Sequence, residues 1–233
     1  EEVNRNARPR VISRVALWPH GKEDSVMFRR TLLAVTGLMI AGAAMVARAE
    51  PVAADVFVRT LSTEIIDVVK GDKAIQAGDL GRIRGLVDTK VMPFVNFDRM
   101  TAMSVGPQWR GATPDQRKRM LEEFKTLLVN TYSGALMQVK DQTVVVKPLR
   151  GGNGDGDVIV KSEVRGKGEP IQLDYRLEKA GEGWKIYDVN VGGFWVVEAY
   201  KGQFAKDLST GGLDALIARL AEKNKANANG PKS

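Results

Sequence analysis

The sequence predicts an α+β fold, in which a four-stranded antiparallel meander sheet is covered on one face by helices from both ends of the chain. Three observations favour it. Before residue 142, apolar residues recur at the three- and four-residue spacing of helices. Between residues 143 and 193 they alternate with polar residues, in short segments separated by glycine-rich turns. After residue 193 the helical spacing returns, and an order of helices, strands and helices is typical of α+β domains.

Residues 27–49 have the three-part layout of a secretory signal peptide. Two arginines follow the first methionine, an apolar run covers residues 32–46, and Ala47-Arg48-Ala49 places small residues at the −3 and −1 positions. We therefore predict cleavage after Ala49. The alternative is a membrane anchor, but a membrane span needs roughly 20 apolar residues. This run is shorter and ends at Arg48.

The signal peptide divides the chain into four predicted parts. Residues 1–26 precede Met27, are polar and arginine-rich, and are expected to be a disordered upstream segment. Residues 50–225 are long enough for one domain with a sizeable core. Residues 226–233 are expected to form a disordered tail.

Three helices are predicted before the sheet. The first covers residues 54–70, and the second covers 79–92 and ends near Pro93 because the residue before a proline avoids the helical conformation. The third begins at Thr113, where Pro114 and Gln116 complete a capping box. Their inward apolar positions include Phe57, Leu61, Ile65 and Val68, then Leu80, Ile83, Val87 and Val91, then Met120, Phe124, Leu127 or Leu128, Thr131 or Tyr132, Ala135 and Val139.

Four strands are predicted in the segments TVVVKPL, GDVIVKSEVRG, PIQLDYRLEKA and GWKIYDVNVGG, which short turn clusters separate. In the third, Leu173 and Tyr175 alternate with Asp174 and Arg176, so one sheet face is expected to be covered and the other wet. Two further helices are predicted after Gly193, the last within GLDALIARLAEKNK.

Composition excludes several kinds of active site. The chain has no cysteine, and its one histidine, His20, precedes the predicted cleavage site. Nucleophilic sites built on Ser-His-Asp or Cys-His, and the usual zinc sites, are therefore excluded from residues 50–233. Residues 1–49 hold eight Lys and Arg against four Asp and Glu, which leaves 27 against 24 in the remainder. A nearly balanced charge gives no support to nucleic-acid binding.

Three carboxylates are candidate general acids or bases, namely Asp98, Asp174 and Asp188. None has a second catalytic group at a diagnostic spacing, so surface or capping roles are favoured. The glycine cluster at residues 151–156 lacks the Gly-Lys-Ser/Thr ending of a phosphate-binding loop and is predicted to join two strands. The apolar residues between Phe94 and Trp109 could fill a core or line an adaptable apolar pocket.

Three segments carry a resemblance to a known family, and together they span most of residues 50–233. They are VMPFVNFDRMTAMSVGPQWRGATPDQRKRMLEEFKTLLVNTYSGAL, WKIYDVNVGGFWVVEAYKGQF and GGLDALIARL. The chain resembles the toluene-tolerance family of periplasmic phospholipid-binding proteins. The resemblance implies a single lipid-binding domain with an apolar cavity between sheet and helices. It implies no catalysis and no cofactor, with phospholipid as the cargo.

The resemblance also implies a location and partners. The protein would be periplasmic and would exchange lipid with an inner-membrane ABC transporter complex and an outer-membrane lipoprotein–porin complex, and so maintain the lipid asymmetry of the outer membrane. No nucleic acid is implied. The residues expected to line the cavity come from the helix stripes, from the inward parity of the strands and from the aromatic segment after Gly193. They are Phe97, Met100, Met103, Phe124, Leu128, Tyr132, Leu173, Tyr175, Val191 and Trp195.

Two alternatives remain open at this point. One is a carrier for another membrane lipid, such as a hopanoid, because an apolar cavity would accept either cargo. The other is a small enzyme or an adaptor built on a similar sheet, with a closed core. For Trp195 in particular, anchoring the last helices on the sheet is an alternative to lining a cavity.

Overall fold

The computed structural model describes residues 52–149 and 156–229. The predicted upstream segment 1–26, the predicted signal peptide 27–49 and residues 230–233 of the predicted tail lie outside this range. Within it, no helix combines the length and the apolar character that crossing a membrane requires.

The described residues form six α-helices and six β-strands. The helices are α1 Ala54–Gly71, α2 Lys73–Gln76, α3 Leu80–Leu86, α4 Phe97–Val105, α5 Pro114–Met137 and α6 Val196–Asn229. The strands are β1 Thr143–Val146, β2 Val158–Val160, β3 Ser162–Arg165, β4 Ile171–Ala180, β5 Gly183–Val191 and β6 Phe194–Trp195. A π-helical turn at Val87–Val91 and 3₁₀ turns at Met92–Phe94 and Gly106–Gly111 connect the helices around α4.

The predicted capping box at the start of α5 is confirmed. The Gln116 backbone N–H donates to the Thr113 hydroxyl at 3.2 Å, and the Thr113 backbone N–H donates to the Gln116 side-chain oxygen at 3.0 Å. Pro114 occupies the first turn, where its missing N–H costs nothing. These local bonds fix the start of the longest uninterrupted helix in the described chain.

Helix α4 was not predicted as a separate element. Asn96 caps it by accepting a hydrogen bond from the Arg99 backbone N–H, and Gly106 ends it with a φ of 78°. Asparagine before a helix and glycine after it are ordinary start and stop signals. Both signals were present in the sequence, inside a segment that we interpreted only as apolar.

The sheet is antiparallel and has six strands instead of the predicted four. Its order is β1-β3-β4-β5-β6, and β2 lies beside β3's partner β4. The second predicted strand is divided into β2 and β3 at Lys161. There the Ser162 backbone N–H donates to the Asp174 carboxylate at 2.9 Å, and the Ser162 hydroxyl donates to the Leu173 carbonyl. The Asp174 side chain thus accepts the hydrogen bond that a backbone carbonyl of the neighbouring strand would otherwise accept.

The sixth strand arises from the turn at Gly192-Gly193. The two glycines have φ values of 60° and 95°, which L residues with a side chain rarely adopt. Two consecutive residues with positive φ give a tight hairpin turn whose twist matches that of the strands it joins. The chain therefore reverses, and Trp195 lies opposite Asn190 on β5.

The pairing of β4 with β5 defines the two faces of the sheet. Leu173 lies opposite Val191 and Tyr175 opposite Val189, and a register shift follows between Arg176 and Leu177. Directly opposite residues point to the same side. One face, which we call the covered face, therefore carries these apolar residues, and the other carries Asp174, Arg176, Asp188 and Asn190.

The face that was expected to be wet is not uniformly so. Asp174, Asp188 and Asn190 are all buried. Asp188 is fully buried, and its carboxylate accepts hydrogen bonds from the backbone N–H groups of Val189 and Val197 at 2.9 and 3.0 Å. The start of α6 therefore lies against this residue, which strand alternation alone could not indicate.

Helix α6 contains the two helices predicted after Gly193. Its backbone leaves the helical conformation at Gly212, where φ is 69°. The second segment continues to Asn229, so the prediction of a disordered tail from residue 226 is wrong for residues 226–229. Ala226 and Ala228 have the highest helix propensity of any residue and favour this continuation, although Asn227 and Asn229 between and after them do not.

Candidate functional site

Helices α4, α5 and α6 pack around Phe124, which is completely buried. Its ring stacks on Phe97 at 5.6 Å and meets Tyr200 and Phe204 edge-on at 5.0 and 5.3 Å. We call this group the helix cluster. Its buried members are Phe97, Met100, Val105, Trp109, Met120, Phe124, Leu127, Val196, Val197, Tyr200, Phe204, Leu213, Leu216, Ile217 and Leu220.

A second apolar group lies between α1 and the covered face of the sheet. Tyr175 is buried there, and its hydroxyl is 3.2 Å from that of Ser62 on α1. Burial raises the pKa of Tyr175 above its usual range. We call this group the sheet cluster. Its buried members are Ala54, Val58, Leu61, Val146, Val160, Tyr175, Leu177, Trp184 and Ile186.

The two clusters meet at Val95 and Val189, which pack against both. Val189 projects from the covered face, so helices from both ends of the chain reach the same side of the sheet, as predicted. We call this junction the seam. Each cluster also carries half-buried apolar side chains: Leu128 and Tyr132 of α5 pack against the helix cluster, and Leu173 of β4, two residues before Tyr175, packs against the sheet cluster.

Half-buried apolar side chains leave hydrocarbon surface in contact with water. Covering such surface is favourable by roughly 25 cal/mol per Å². Burial also raises the pKa of Tyr132, with Tyr200 nearby as the second cause. The seam is thus the place where the described residues could cover an apolar ligand. A closed apolar cavity there stays a prediction.

Most of the ten residues predicted to line a cavity lie at these two clusters. Phe97, Met100 and Phe124 belong to the helix cluster, and Leu128 and Tyr132 pack against it. Leu173 and Tyr175 belong to the sheet side of the seam. Val191 is half-buried on the same face, opposite Leu173.

Met103 and Trp195 lie apart from these residues. Met103, on α4, is 37% exposed. Trp195 follows the parity of Asn190 to the opposite face, where the Arg176 guanidinium lies 3.9 Å from the centre of its ring. The reversal at Gly192-Gly193 sets this direction, so the helical spacing after Gly193 could not predict it.

Sequence reasoning missed the two valines at the junction. Val189 alternates in phase with Val191 along β5, so the strand pattern could have identified it. Val95 carried no comparable signal. It reaches the sheet because the Asn96 backbone N–H donates to the Ile186 carbonyl at 2.8 Å.

An arginine fastens α4 to the edge of the sheet. The Arg99 guanidinium donates to both carboxylate oxygens of Asp157 at 3.1 and 2.6 Å and also to Glu178. It lies 3.6 Å from the centre of the Tyr187 ring. The hydrogen bond from Arg99 holds the pKa of Asp157 below its usual range. This cluster joins the helix layer to β2, β4 and β5.

Of the three candidate acids, Asp174 and Asp188 accept hydrogen bonds from neighbouring groups, whereas Asp98 is exposed. Arg176 donates to Asp188 at 2.9 Å, and Gln172 donates to Asp174 at 2.5 Å. Burial raises the pKa of Asp188, although its hydrogen bonds oppose that effect. Asp98 is exposed on α4. Asp174 stabilises strand pairing and Asp188 stabilises the start of α6, so these two carboxylates have structural roles.

Two open grooves lie outside the seam. One, of about 470 Å³, is on the polar sheet face and includes Lys147, Lys161, Gln172 and Trp195. The other, of about 250 Å³, lies between α5 and the turn after α3 and is lined largely by charged residues. In the part of the chain that the structure describes, no group of three or more Asp, Glu, His or Cys is placed to hold a metal ion.

Comparison with protein families identifies residues 59–222 as a match to the model described as MlaC protein. The chain belongs to the MlaC family. The resemblance to the toluene-tolerance family is confirmed as well, since the toluene tolerance protein ttg2D of Pseudomonas putida is 24% identical over 75% of this chain and 85% of its own length.

Two further similarities bear on this MlaC-family chain. The intermembrane phospholipid transport system binding protein MlaC of Haemophilus influenzae is 22% identical over 62% of the chain and 69% of its own length. The phospholipid-binding protein of Ralstonia solanacearum, solved in complex with a phospholipid, is 42% identical, with a TM-score of 0.74. The similarity covers 76% of this chain and all of that structure.

Proposed function

We propose that this MlaC-family protein is a phospholipid carrier that holds acyl chains at the seam between its helix and sheet clusters. The observation that carries the proposal is the likeness to the phospholipid-bound Ralstonia structure, at 42% identity and a TM-score of 0.74. The half-buried apolar side chains of Leu128, Tyr132 and Leu173 support it, because they leave hydrocarbon surface partly exposed on the two clusters that meet at the seam.

Retention of the cargo follows from the hydrophobic effect. Burying one methylene is worth about 0.8 kcal/mol, so a lipid with roughly 30 methylenes is favoured in an apolar site over water by on the order of 20 kcal/mol. Escape into water is therefore very slow. A bilayer is also apolar, so the difference between carrier and bilayer is small, and partner proteins must set the direction by favouring one state of the carrier.

The carrier acts between membranes. The relative from Haemophilus influenzae is named as the binding protein of an intermembrane phospholipid transport system, which supports this role. With the signal peptide predicted at residues 27–49, the protein works in the periplasm. Its partners are an inner-membrane ABC transporter complex and an outer-membrane lipoprotein–porin complex, and the lipid asymmetry of the outer membrane is the outcome.

The lipid is cargo, not substrate. Asp174 and Asp188, which are the buried carboxylates among residues 52–149 and 156–229, already accept hydrogen bonds from backbone and side-chain donors. Selectivity for acyl-chain length should be loose, since apolar contact distinguishes one methylene by only about 1–3 kcal/mol.

Native mass spectrometry of the purified protein, followed by organic extraction, tests the cargo. We expect a mass above that of the polypeptide and a diacyl phospholipid in the extract. A triterpenoid in its place would identify a carrier for a different membrane lipid. A bare polypeptide that also takes up no phospholipid from vesicles would overturn the proposal.

The location is tested by exporting the full chain in a Gram-negative host and measuring the intact mass of the periplasmic product. We expect a polypeptide that begins at Glu50. A product that keeps residues 27–49 and stays with the inner membrane would contradict the cleavage and favour the anchor.

A further inference from the structure

Two large apolar side chains at one end of the covered face remain in solvent. Ile171, the first residue of β4, is 54% exposed, and Phe194, the first residue of β6, is 76% exposed. Phe194 is the most exposed of the large apolar side chains in residues 52–149 and 156–229. We call these two residues the apolar lip.

Strand register connects the lip to the seam. Phe194 lies opposite Val191, and Val191 lies opposite Leu173. Ile171 is two residues before Leu173 on the same strand, so it points to the same side. Ile171, Leu173, Val191 and Phe194 therefore form one apolar strip that leads from solvent to the covered face.

The exposure of Phe194 is imposed by the backbone. The Gly192 N–H donates to the Gln172 carbonyl, and the Gly193 N–H donates to the Asn190 side-chain oxygen, each at 2.9 Å. With the positive φ values of both glycines, these bonds fix the turn. The ring is held outward by a defined hairpin and is not the frayed end of a strand.

We propose that the apolar lip contacts the hydrocarbon of a lipid bilayer while a phospholipid passes between that bilayer and the seam. The proposal rests on the proposed function. A single exposed apolar residue needs no explanation, but this pair continues the strip that reaches Leu173. An acyl chain that follows an unbroken apolar path keeps its methylenes out of water, whereas any gap would expose them. Phenylalanine is also among the residues found on the apolar faces of segments that insert into the boundary between head groups and acyl chains.

The chain has no cysteine, so a single introduced thiol can be labelled. An environment-sensitive fluorophore is attached to Phe194→Cys and, as the control, to Ile159→Cys. Ile159 is 47% exposed but lies opposite Arg176, on the other sheet face. Vesicles of phosphatidylethanolamine and phosphatidylglycerol with spin-labelled acyl chains are then added. We expect quenching and a blue shift at position 194 and neither at position 159.

Transfer of a fluorescent phospholipid between vesicles provides the second measurement. Phe194→Ser and Ile171→Ser should slow transfer several-fold, while Ile159→Ser leaves the rate unchanged. Equal fluorophore responses at 194 and 159, or an unchanged transfer rate in both lip variants, would overturn the proposal that the lip contacts the bilayer. The phospholipid content of the unmodified protein is measured first: if it carries none, the proposed function fails, whereas bound lipid with an inert lip refutes only this inference.

Discussion

At the scale of single residues, buried polar groups connect the elements of this protein. Asp188 is inaccessible to solvent, yet it binds two backbone N–H groups and Arg176. Arg176 in turn stacks on Trp195 and reaches Glu198 at 3.5 Å. A buried carboxylate is tolerated only when such partners replace its hydration. One residue thus fixes the start of α6 on the sheet.

Replacing this carboxylate should be costly. We expect Asp188→Asn to lower the free energy of unfolding by roughly 2–4 kcal/mol, because Arg176 loses its buried counter-ion and faces an amide that can also donate. Urea denaturation measures the change. Glu198→Gln removes the exposed partner of the same arginine and should cost less than about 0.5 kcal/mol. Similar losses for the two variants would contradict the capping role of Asp188.

The ion pair of Asp157 with Arg99 should make stability depend on pH in the acid range. The pKa of Asp157 is lowered in the folded protein, first by its hydrogen bond with Arg99. The contribution is therefore complete above the ordinary pKa of 3.8 and is lost as the pH falls through the folded value. We expect Asp157→Asn to be less stable than the unmodified protein at pH 6, with the difference shrinking near pH 3. Asp98→Asn, on the exposed side of α4, is the control. A difference that does not change with pH would refute this link.

At the scale of elements, turns decide which face each strand presents. The Gly192-Gly193 turn ends β5, starts β6 and places Phe194 and Trp195 on opposite faces. At Lys161 an Asp174 side chain divides one predicted strand into two. In α6, the non-helical conformation of Gly212, where φ is 69°, separates two helical segments.

The turn can be tested by adding a methyl group. An added Cβ at Gly193 would meet no heavy atom within 4 Å, so the cost of Gly193→Ala comes from the backbone conformation alone. We expect a loss of about 1 kcal/mol in the free energy of unfolding. Gly202→Ala in α6 also meets nothing but has helical geometry, and it should gain roughly 0.5–1 kcal/mol. A stabilised Gly193→Ala would show that the positive φ is not required.

At the scale of the whole molecule, the described residues form three buried apolar clusters, and two of them, the helix cluster and the sheet cluster, meet at the seam. Among the half-buried apolar residues of the described ranges, Val95 and Val189 are the two that pack against both of these clusters. The Arg99 ion pairs and the Asn96 hydrogen bond fasten the helix layer along one edge. This arrangement supports a carrier, because a ligand at the junction covers exposed hydrocarbon without the disruption of either cluster.

A charge at the seam should remove the cargo without unfolding the protein. Leu173→Glu and Val191→Glu place a carboxylate beside the junction, where half-burial lets it reach water in the free protein but not beneath an acyl chain. We expect the amount of phospholipid that co-purifies to fall at least roughly tenfold. Such a fall corresponds to a loss of about 1.4 kcal/mol or more in binding free energy.

Organic extraction with mass spectrometry measures the lipid, and circular dichroism checks the fold. Ile159→Glu introduces the same carboxylate on the opposite sheet face and, as the control, should retain the lipid. Full lipid retention in both seam variants would place the binding site elsewhere.

The sequence by itself determined the elements whose signals are local. Hydrophobic spacing and the Thr113 capping box predicted α1 and α5, and alternation predicted the inward direction of Leu173 and Tyr175. These features depend on neighbours a few residues away, which the sequence contains. The family resemblance likewise rested on continuous segments and is confirmed over residues 59–222.

Only the tertiary structure decided how distant parts meet. Three features depend on contacts between residues far apart in the chain. They are the direction of Trp195, which turns back to Arg176, the pairing of the Ser162 backbone N–H with the Asp174 side chain, and the two valines that join the clusters. Periodicity specifies which side of an element is apolar. It does not specify the partner that covers that side, because the partner is chosen by packing the complete set of elements together.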